Sequence, residues 1–343
     1  MPAIVTTLHI KTMKAVVLTG KDEPLNIQEV EKPTLAAGEV LVQIKAAALN
    51  RRDYWITIGQ YTGIKYPSIL GSDGSGIVVE AADEAGQTWL NKEVIINPSH
   101  DWGEHPEYQA KDFKIMGLPE DGTLAEYVKV KAEYLAEKPA HLNWEQAAAI
   151  PLAGLTAYRA LFTKGRLQKG DKVLISGVGA GTGSFALQWA VAAGCQVFVT
   201  SGSGEKIEQA RKLGAAAGVS YKAQDWAEQL KELAGGFDVI IDSALGEGFA
   251  KLIDLCNSGA RIVFFGGTAG NIPELNGRVI FWKQIQILGT TMGTTEEFNA
   301  MVNLINEHQI VPVIDEVFPM AQAQQAVDKM GNSAQFGKLV LVN

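Results

Sequence analysis

Between Leu174 and Ala190 the chain reads LISGVGAGTGSFALQWA. Gly177, Gly179, Gly181 and Gly183 alternate with other residues between a short apolar run and a helix-like one. Glycine lacks Cβ, so the backbone takes unusual angles and another group can approach closely. The chemistry this spacing offers is phosphate binding. The first turn of a helix carries unpaired N–H groups and a partial positive charge, which a pyrophosphate can reach across Gly179, Ala180, Gly181, Thr182 and Gly183. The spacing is G-x-G-x-G rather than the literal G-x-G-x-x-G of dinucleotide sites.

The next apolar run, QVFVTS, leads into Gly202, Ser203 and Lys206. An NAD enzyme places Asp or Glu at the end of this strand, on the ribose 2′-hydroxyl. Here Thr200, Ser201, Gly202 and Ser203 are uncharged, Lys206 follows, and Glu205 is expected to point along the next helix. A carboxylate would repel a 2′-phosphate, whereas small hydroxyls and a lysine accept one. NADPH is therefore the expected cofactor, in preference to NADH.

Metal chemistry has fewer candidates. His100, Asp101, Glu104 and His105 form the one local cluster of metal-capable side chains, with no further partner at a recognisable spacing. The cluster reads as a solvated loop, and no metal site is expected. Cys195 and Cys256 sit in apolar surroundings and read as buried thiols, which suits a reducing cytosol. His9, His141 and His308 have no motif around them.

These groups need elements to hold them. Short β-branched runs at 15–20, 40–49, 76–82, 92–97 and 122–130, bounded by Gly, Pro and Asp, predict an antiparallel sheet or small barrel. The polar, aromatic stretch at 98–121 lacks periodicity and reads as a long, functional loop. From Asn143, an N-cap candidate, the pattern turns helical, with a break at Pro151. Strands at 171–177, 196–201, 237–244, 260–267 and 285–292 then alternate with helical segments, which predicts a parallel doubly wound sheet. A helix at 295–308 follows, and the tail returns to strand, helix and strand. The expected fold class is α/β, with a doubly wound unit at 138–293 inserted in a β-rich domain made of 1–137 and 294–343.

A chain of 343 residues, 47% hydrophobic and 20% charged, fits about two ordinary globular domains. A net charge of −8 and the lack of any Lys/Arg block argue against nucleic acid as a partner. No apolar run reaches membrane-spanning length, and the opening MPAIVTTLHIKTMKAVVL lacks the features of a signal peptide. A cytoplasmic location is expected.

AAALNRRDYW, YPSILGSDGSGIVVEA, GTLAEYVKV, AAAIPLAGLTAYRAL, the turn at 177–183 and the terminal GKLVLV together resemble the medium-chain dehydrogenase/reductase superfamily, from about Met13 to Asn343. The branch they most resemble is zinc-independent and quinone-oxidoreductase-like. The resemblance implies a GroES-like catalytic domain, a Rossmann domain and a cofactor in the cleft between them. It implies that Gly202, Lys206 and Tyr221, in a G-x₃-K…Y arrangement, contact the 2′-phosphate. It places Thr156 and Gly266, Gly267 and Thr268 around the nicotinamide, with Met292, Gly293 and the Gly337–Lys338 segment closing the same site. It also implies a homodimer, for which the strand IQILGTTM offers an edge.

Zinc members of the superfamily hold a catalytic metal through a Cys, the His of a G-H-E motif and a later Cys or Asp. By that resemblance the Cys position is Asn50 and G-H-E reads Gly71-Ser72-Asp73. Neither Asn nor Ser is an ordinary zinc ligand. The cysteine-free 98–121 loop stands where zinc members carry a four-Cys structural lobe. The implied reaction is hydride transfer to a carbon that is already electrophilic, in a quinone or an α,β-unsaturated carbonyl, by proximity and orientation. Asn50 is expected at the nicotinamide end. Tyr54 is expected to donate to the substrate oxygen, with Tyr61 as a second candidate. Arg52 departs from the proline or small residue common in quinone reductases and favours a polar substrate, while Asp53 is expected to bond nearby backbone. Trp102, Tyr108 and Phe113 are expected to form an apolar lid. The alternatives are a carbonyl or enoyl-thioester reductase or an alcohol dehydrogenase-like enzyme on the same fold, and a non-catalytic NADPH-binding protein.

Overall fold

A computed structural model of the chain describes residues 11–343. His9 and the start of the segment read for a leader lie outside the described residues. The first unit contains strands β1 (Thr12–Leu18), β2 (Asn26–Glu31) and β3 (Glu39–Ala48), helix α1 (Arg51–Thr57), strands β4 (Ser68–Ile69) and β5 (Asp73–Ala81), and helix α2 (Glu84–Gln87). It continues through β6 (Glu93–Ile96), β7 (Ser99–His100), β8 (Lys114–Ile115), β9 (Tyr127–Lys131), β10 (Leu135–Glu137) and helix α3 (Trp144–Ala148). Strand β3 is the centre of its sheet, pairing antiparallel with β5 and β9. Val40, Val42 and Ile44 share a core with Leu18, Val78 and Leu124, and Leu41 between them is buried as well, so this strand is covered on both faces.

Helix α4 (Pro151–Tyr158) opens the second unit, with a proline at its first turn, where no N–H is needed. There follow β11 (Lys172–Ser176), α5 (Gly181–Ala192), β12 (Gln196–Ser201), α6 (Gly204–Lys212), β13 (Ala217–Ser220) and α7 (Trp226–Ala234). Next come β14 (Phe237–Asp242), α8 (Phe249–Asp254), β15 (Cys256–Phe264), α9 (Gly277–Lys283), β16 (Gln286–Gly289) and α10 (Thr295–His308). The strand order is β13-β12-β11-β14-β15-β16, with every pairing parallel. Continuous apolar runs suit strands covered on both faces: Val173, Leu174 and Ile175 of β11 are all buried.

The tail, β17 (Ile314–Pro319), α11 (Ala323–Gly331) and β18 (Lys338–Val342), returns to the first unit. There β18 pairs antiparallel with β3, Val340 opposite Ala48. The observed architecture is the α/β insertion expected, with a helix packed at each of its two seams. Helix α3 lies on β3 and β18 through Ala148 and Ala149 against Ala46 and Val340, so it goes with the β-rich unit. Helix α10, placed with that unit by the boundary at 293, instead buries Phe298, Met301 and Ile305 with Leu155 and Trp189 of the parallel-sheet unit. Thr294 and Glu297 cap it reciprocally, at 3.2 and 2.7 Å, so the helix starts where the sequence reading starts it.

Candidate active site

The glycine turn leaves β11 where the strand order reverses, since β12 lies on one side of β11 and β14 on the other. Ligands of open α/β sheets bind at such a point. A cleft of about 1650 Å³ opens there, lined by both units. Gly177 (φ 77°) and Gly179 (φ 150°) turn the chain into α5. No side chain caps this helix, whose N-cap is Ala180. Ala180, Thr182 and Gly183 border the cleft, so the open first turn offers its N–H groups and positive end there. Gly181 faces elsewhere: a Cβ on it would meet Lys338 Cδ at 2.6 Å.

The C-terminal segment closes onto this turn. Gly337 N donates to Gly179 O at 2.9 Å. Arg51 donates to Met330 O at 2.6 Å and to Ser333 Oγ at 2.8 Å. Lys206 runs past Gly179 and donates from Nζ to Ser333 O at 2.8 Å. Burial holds both the Lys206 ammonium and the Arg51 guanidinium below their ordinary values. Lys206 therefore lies along the glycine turn, in the same cleft as Gly202 and Tyr221.

Ser201, Gly202, Ser203 and Tyr221 do meet at the end of β12. A Cβ on Gly202 would come within 2.6 Å of Tyr221 Oη and 3.1 Å of Lys222 Cε. Only glycine admits both side chains there. Lys222 is a cleft cation that the sequence reading missed; its position next to Tyr221 is the one signal that could have found it. Asp242 was missed too. It ends β14 beside Ser176 and accepts from Leu245 N at 2.7 Å and Ala244 N at 3.2 Å; burial raises its pKa.

At the other end of the cleft lie Thr156, Gly266, Gly267, Thr268 and Met292. Thr156 Oγ1 donates to Leu152 O at 2.8 Å and stands 3.9 Å from Met292 Sδ. Gly293 turns away from the cleft, since a Cβ on it would meet Leu155 and Glu297. Asn50 borders the cleft, but its amide is engaged at both ends. Nδ2 donates to Asp73 Oδ2 at 2.8 Å, and Oδ1 accepts from Lys338 Nζ at 2.7 Å. Lys338 also pairs with Asp73 Oδ2 at 2.8 Å, and Leu152 N donates to Asp73 Oδ1 at 2.7 Å. Asp53 bonds backbone as expected, accepting from Asn50 N at 2.7 Å and Gly71 N at 3.3 Å. Burial pushes its carboxyl above the ordinary range, against the pull of Arg52.

Of the two tyrosine candidates, the structure brings the second, Tyr61, to the cleft. Tyr54 does not border the cleft among the described residues; its ring packs on Gly331 of α11, where a Cβ would come within 2.6 Å of Cε2. Trp55 and Tyr61 border the cleft instead. Tyr54 follows Arg51 on a helix of seven residues, and the turn of that helix carries it toward α11. Arg52 points inward: Nη1 donates to Ser72 Oγ at 2.6 Å and to Met116 O at 2.8 Å, and Ser72 Oγ donates to Met116 O at 2.7 Å.

These donors do not fit a zinc ion. Zinc needs thiolate, imidazole or carboxylate ligands with free lone pairs. Here the Asn50 amide and Asp73 carboxylate are tied to the Lys338 ammonium, and a permanent guanidinium sits on Ser72. Among the described residues, no group of three or more His, Cys, Asp or Glu side chains could hold a metal. The loop cluster disperses. His100 is buried, stacks on Tyr134 at 4.2 Å and has its pKa lowered by burial to about 4. His105 stacks on Tyr108 at 4.0 Å, and Asp101 pairs with Lys131 at 3.2 Å.

The expected lid is absent from the cleft wall. Trp102, Tyr108 and Phe113 lie outside the cleft lining among the described residues. Trp102 is buried edge-on to Phe113, under the Arg159 guanidinium at 4.8 Å. Arg159 also donates to Pro106 O and Glu107 O, at 2.8 and 2.9 Å, and pairs with Glu297 at 2.8 Å. Trp102 and Phe113 anchor the loop to the body, whereas Tyr108 is 60% exposed and stacks within the loop.

Comparison with known proteins agrees with this architecture. The family model for the alcohol dehydrogenase GroES-like domain matches residues 36–140, and that for zinc-binding dehydrogenases matches residues 181–307, through the end of α10. The chain is 35% identical over 338 residues to a zinc-type alcohol dehydrogenase-like protein, YogA, of Leptosphaeria maculans, covering 93% of this chain and 94% of that one. It is 29% identical over 349 residues to a crotonyl-CoA carboxylase/reductase of Cereibacter sphaeroides, covering 90% and 81%. A crystal structure of an NAD-dependent alcohol dehydrogenase superposes with a TM-score of 0.91 at 32% identity, over 96% of this chain and 100% of that one. The 2-octenoyl-CoA carboxylase reductase CinF, solved with NADP and 2-octenoyl-CoA, gives 0.88 at 26% identity, over 97% and 88%. Similarity along nearly the whole length, with both domain models matched in order, makes this chain a member of the medium-chain dehydrogenase/reductase superfamily and an oxidoreductase.

Proposed function

We propose that this protein is an NADPH-dependent reductase that passes hydride to an α,β-unsaturated carbonyl or a quinone without a catalytic zinc. The observation that carries the reading is the Arg52 guanidinium on Ser72 Oγ at 2.6 Å, a fixed cation where zinc members place a metal ligand. When bound, the cofactor supplies the hydride. The open turn of α5, with Arg51 and Lys206 beside it, suits the diphosphate. Ser201, Gly202, Ser203, Tyr221 and Lys222 suit a 2′-phosphate, with no carboxylate among them. Thr156, Gly266, Gly267, Thr268 and Met292 frame the nicotinamide, and the Asn50–Asp73–Lys338 network holds the cleft floor rigid. Tyr61 replaces Tyr54 as the donor to the substrate oxygen.

An enoyl thioester is the more specific second reading. It is favoured by the similarity to CinF, which was solved with 2-octenoyl-CoA. The test is NADPH oxidation against quinones, enones, enoyl thioesters and aldehydes, with metal analysis of the same preparation. Turnover of primary alcohols with NAD⁺ at stoichiometric zinc would overturn the proposal.

We also propose a homodimer through the open edge of β16, the last strand of the parallel sheet. Phe281 and Trp282 on the adjacent α9 are 68% and 82% exposed, a large apolar pair that a second subunit would cover. Cys195 and Cys256 are both free thiols, which fits the reducing cytosol as the place of action. Among the described residues, no helix is long and apolar enough to cross a membrane.

A further inference from the structure

Among the described residues, Arg52 is the one charged side chain with a buried polar atom that lacks any partner. The side chain is 93% buried, being 7% exposed. A guanidinium presents five N–H groups in a fixed plane. Nη1 is matched by Ser72 Oγ and Met116 O, and Nε reaches Tyr61 Oη at a long 3.3 Å. Nη2 is buried and has no hydrogen-bond partner. No carboxylate lies within 4.0 Å of the guanidinium among the described residues. Asp53, whose charge it feels, is engaged by Asn50 N and Gly71 N. A buried charged donor without a partner is costly, and in a native protein it calls for an explanation: strain, an ordered water or ion, or a catalytic role.

Its surroundings define that ligand. Arg52, Tyr61 and Thr156 all border the cleft, Thr156 at the end assigned to the nicotinamide. Resting on the reductase reading above, we infer that Arg52 Nη2, with Tyr61 Oη beside it, binds the carbonyl oxygen of the acceptor and stabilises the enolate that forms there. The substrate class is a carbonyl compound conjugated to a C=C bond. As hydride adds to the β-carbon, the C=C pair moves between the α-carbon and the carbonyl carbon, and the C=O π pair moves onto oxygen. The enolate oxygen then faces the guanidinium. A proton from water adds at the α-carbon, the C=O bond re-forms, and NADPH has become NADP⁺. A pre-set donor aimed at developing charge is the largest single contribution that a site of this kind can make. The Tyr61 ring lies over the guanidinium at 5.0 Å, on a turn between Gly59 (φ 69°) and Gly63 (φ 70°). Binding of the oxygen requires this turn to move, because Nη2 is covered in the resting structure.

The test uses wild type, Arg52→Lys and Arg52→Gln. NADPH binding by nicotinamide fluorescence comes first: if wild type binds no NADPH, the reductase reading fails, independently of Arg52. With 2-cyclohexenone, Arg52→Gln is expected to lower kcat on the order of 10²–10³-fold with NADPH affinity kept, and Arg52→Lys to fall between the two. The second readout is p-nitrophenol bound with NADP⁺. Wild type should bind the coloured phenolate in preference to the phenol, lowering its pKa below that of the free compound, and Arg52→Gln should lose this preference. A purely structural Arg52 would not move that spectrum. Neutral phenol bound to wild type overturns the inference, even if the variants fail to fold. So does an Arg52→Gln enzyme with unchanged kcat, including one with a raised KM only for carboxylate-bearing enones, which would make Arg52 a ground-state anchor.

Discussion

The Lys338 ammonium meets Asp73 Oδ2 at 2.8 Å across 265 residues of chain, with both side chains buried. The pair joins the start of β18 to the start of β5, and Asn50 bonds to both members. Leu152 N, at the head of α4, holds the second Asp73 oxygen. One carboxylate thus ties the first unit, the C-terminal return and the second unit together beneath the cleft. Breaking a buried pair from one side strands the other charge, which costs about 3–5 kcal/mol. Lys338→Met is expected to lose that much in urea unfolding, and the double variant Lys338→Met with Asp73→Leu to recover part of it. Equal stability of wild type and Lys338→Met would refute the tie.

At the ribose end, Lys222→Ala should raise KM for NADPH about tenfold and leave NADH nearly unaffected, as loss of one charge-assisted contact to a phosphate would. Lys206→Ala, at the glycine turn, should weaken both cofactors alike. Initial rates with the two cofactors separate these outcomes. A selective NADPH defect in Lys206→Ala alone would return the phosphate contact to Lys206.

Tyr54→Phe should keep kcat within about twofold of wild type, because the ring packs on α11. Tyr61→Phe should lower kcat about tenfold through loss of a hydroxyl at the substrate oxygen. The same enone assay on both variants checks the assignment.

His100 adds an acid-sensitive element. Its folded pKa, about 4, lies below the ordinary 6.5 because burial disfavours the cation. The unfolded chain therefore takes up the proton first, and stability falls as pH drops from about 6.5 toward about 4, by roughly 3 kcal/mol across that window. Above about pH 6.5 this contribution is fully present. His100→Gln should flatten that part of the pH profile of urea midpoints, and an unchanged slope would exclude His100 as its source.

Trp282→Glu should convert a dimer to monomer in light scattering, with the dimer dissociation constant raised tenfold or more, as loss of a buried aromatic anchor does. NADPH binding should survive, since Trp282 does not border the cleft among the described residues. A wild type that scatters as a monomer would remove the proposal.

Local signals made most of the architecture legible. The alternation after residue 171 matches β11 to β14 closely, because apolar runs of strand length and amphipathic runs of helix length are set by neighbours in sequence, whereas β15 begins at Cys256, four residues before the strand expected at 260–267. The glycine turn was legible for the same reason: its backbone angles are a property of a few adjacent residues. Helix α1, seven residues long, is too short for its buried face to be read from spacing, and so it could not be foreseen that Tyr54 packs away from the cleft.

By itself, then, the sequence determined the alternation of strands and helices after residue 171, the glycine turn and the lack of ordinary zinc ligands at Asn50 and Ser72. The tertiary structure alone decided the fate of the charges. Whether Lys206 reaches Ser333, whether Lys338 neutralises Asp73, and whether Arg52 keeps a buried N–H without a partner all depend on chain segments that are distant in sequence. A long cationic side chain can reach several partners, and only the packed fold selects which of them lies within hydrogen-bond distance.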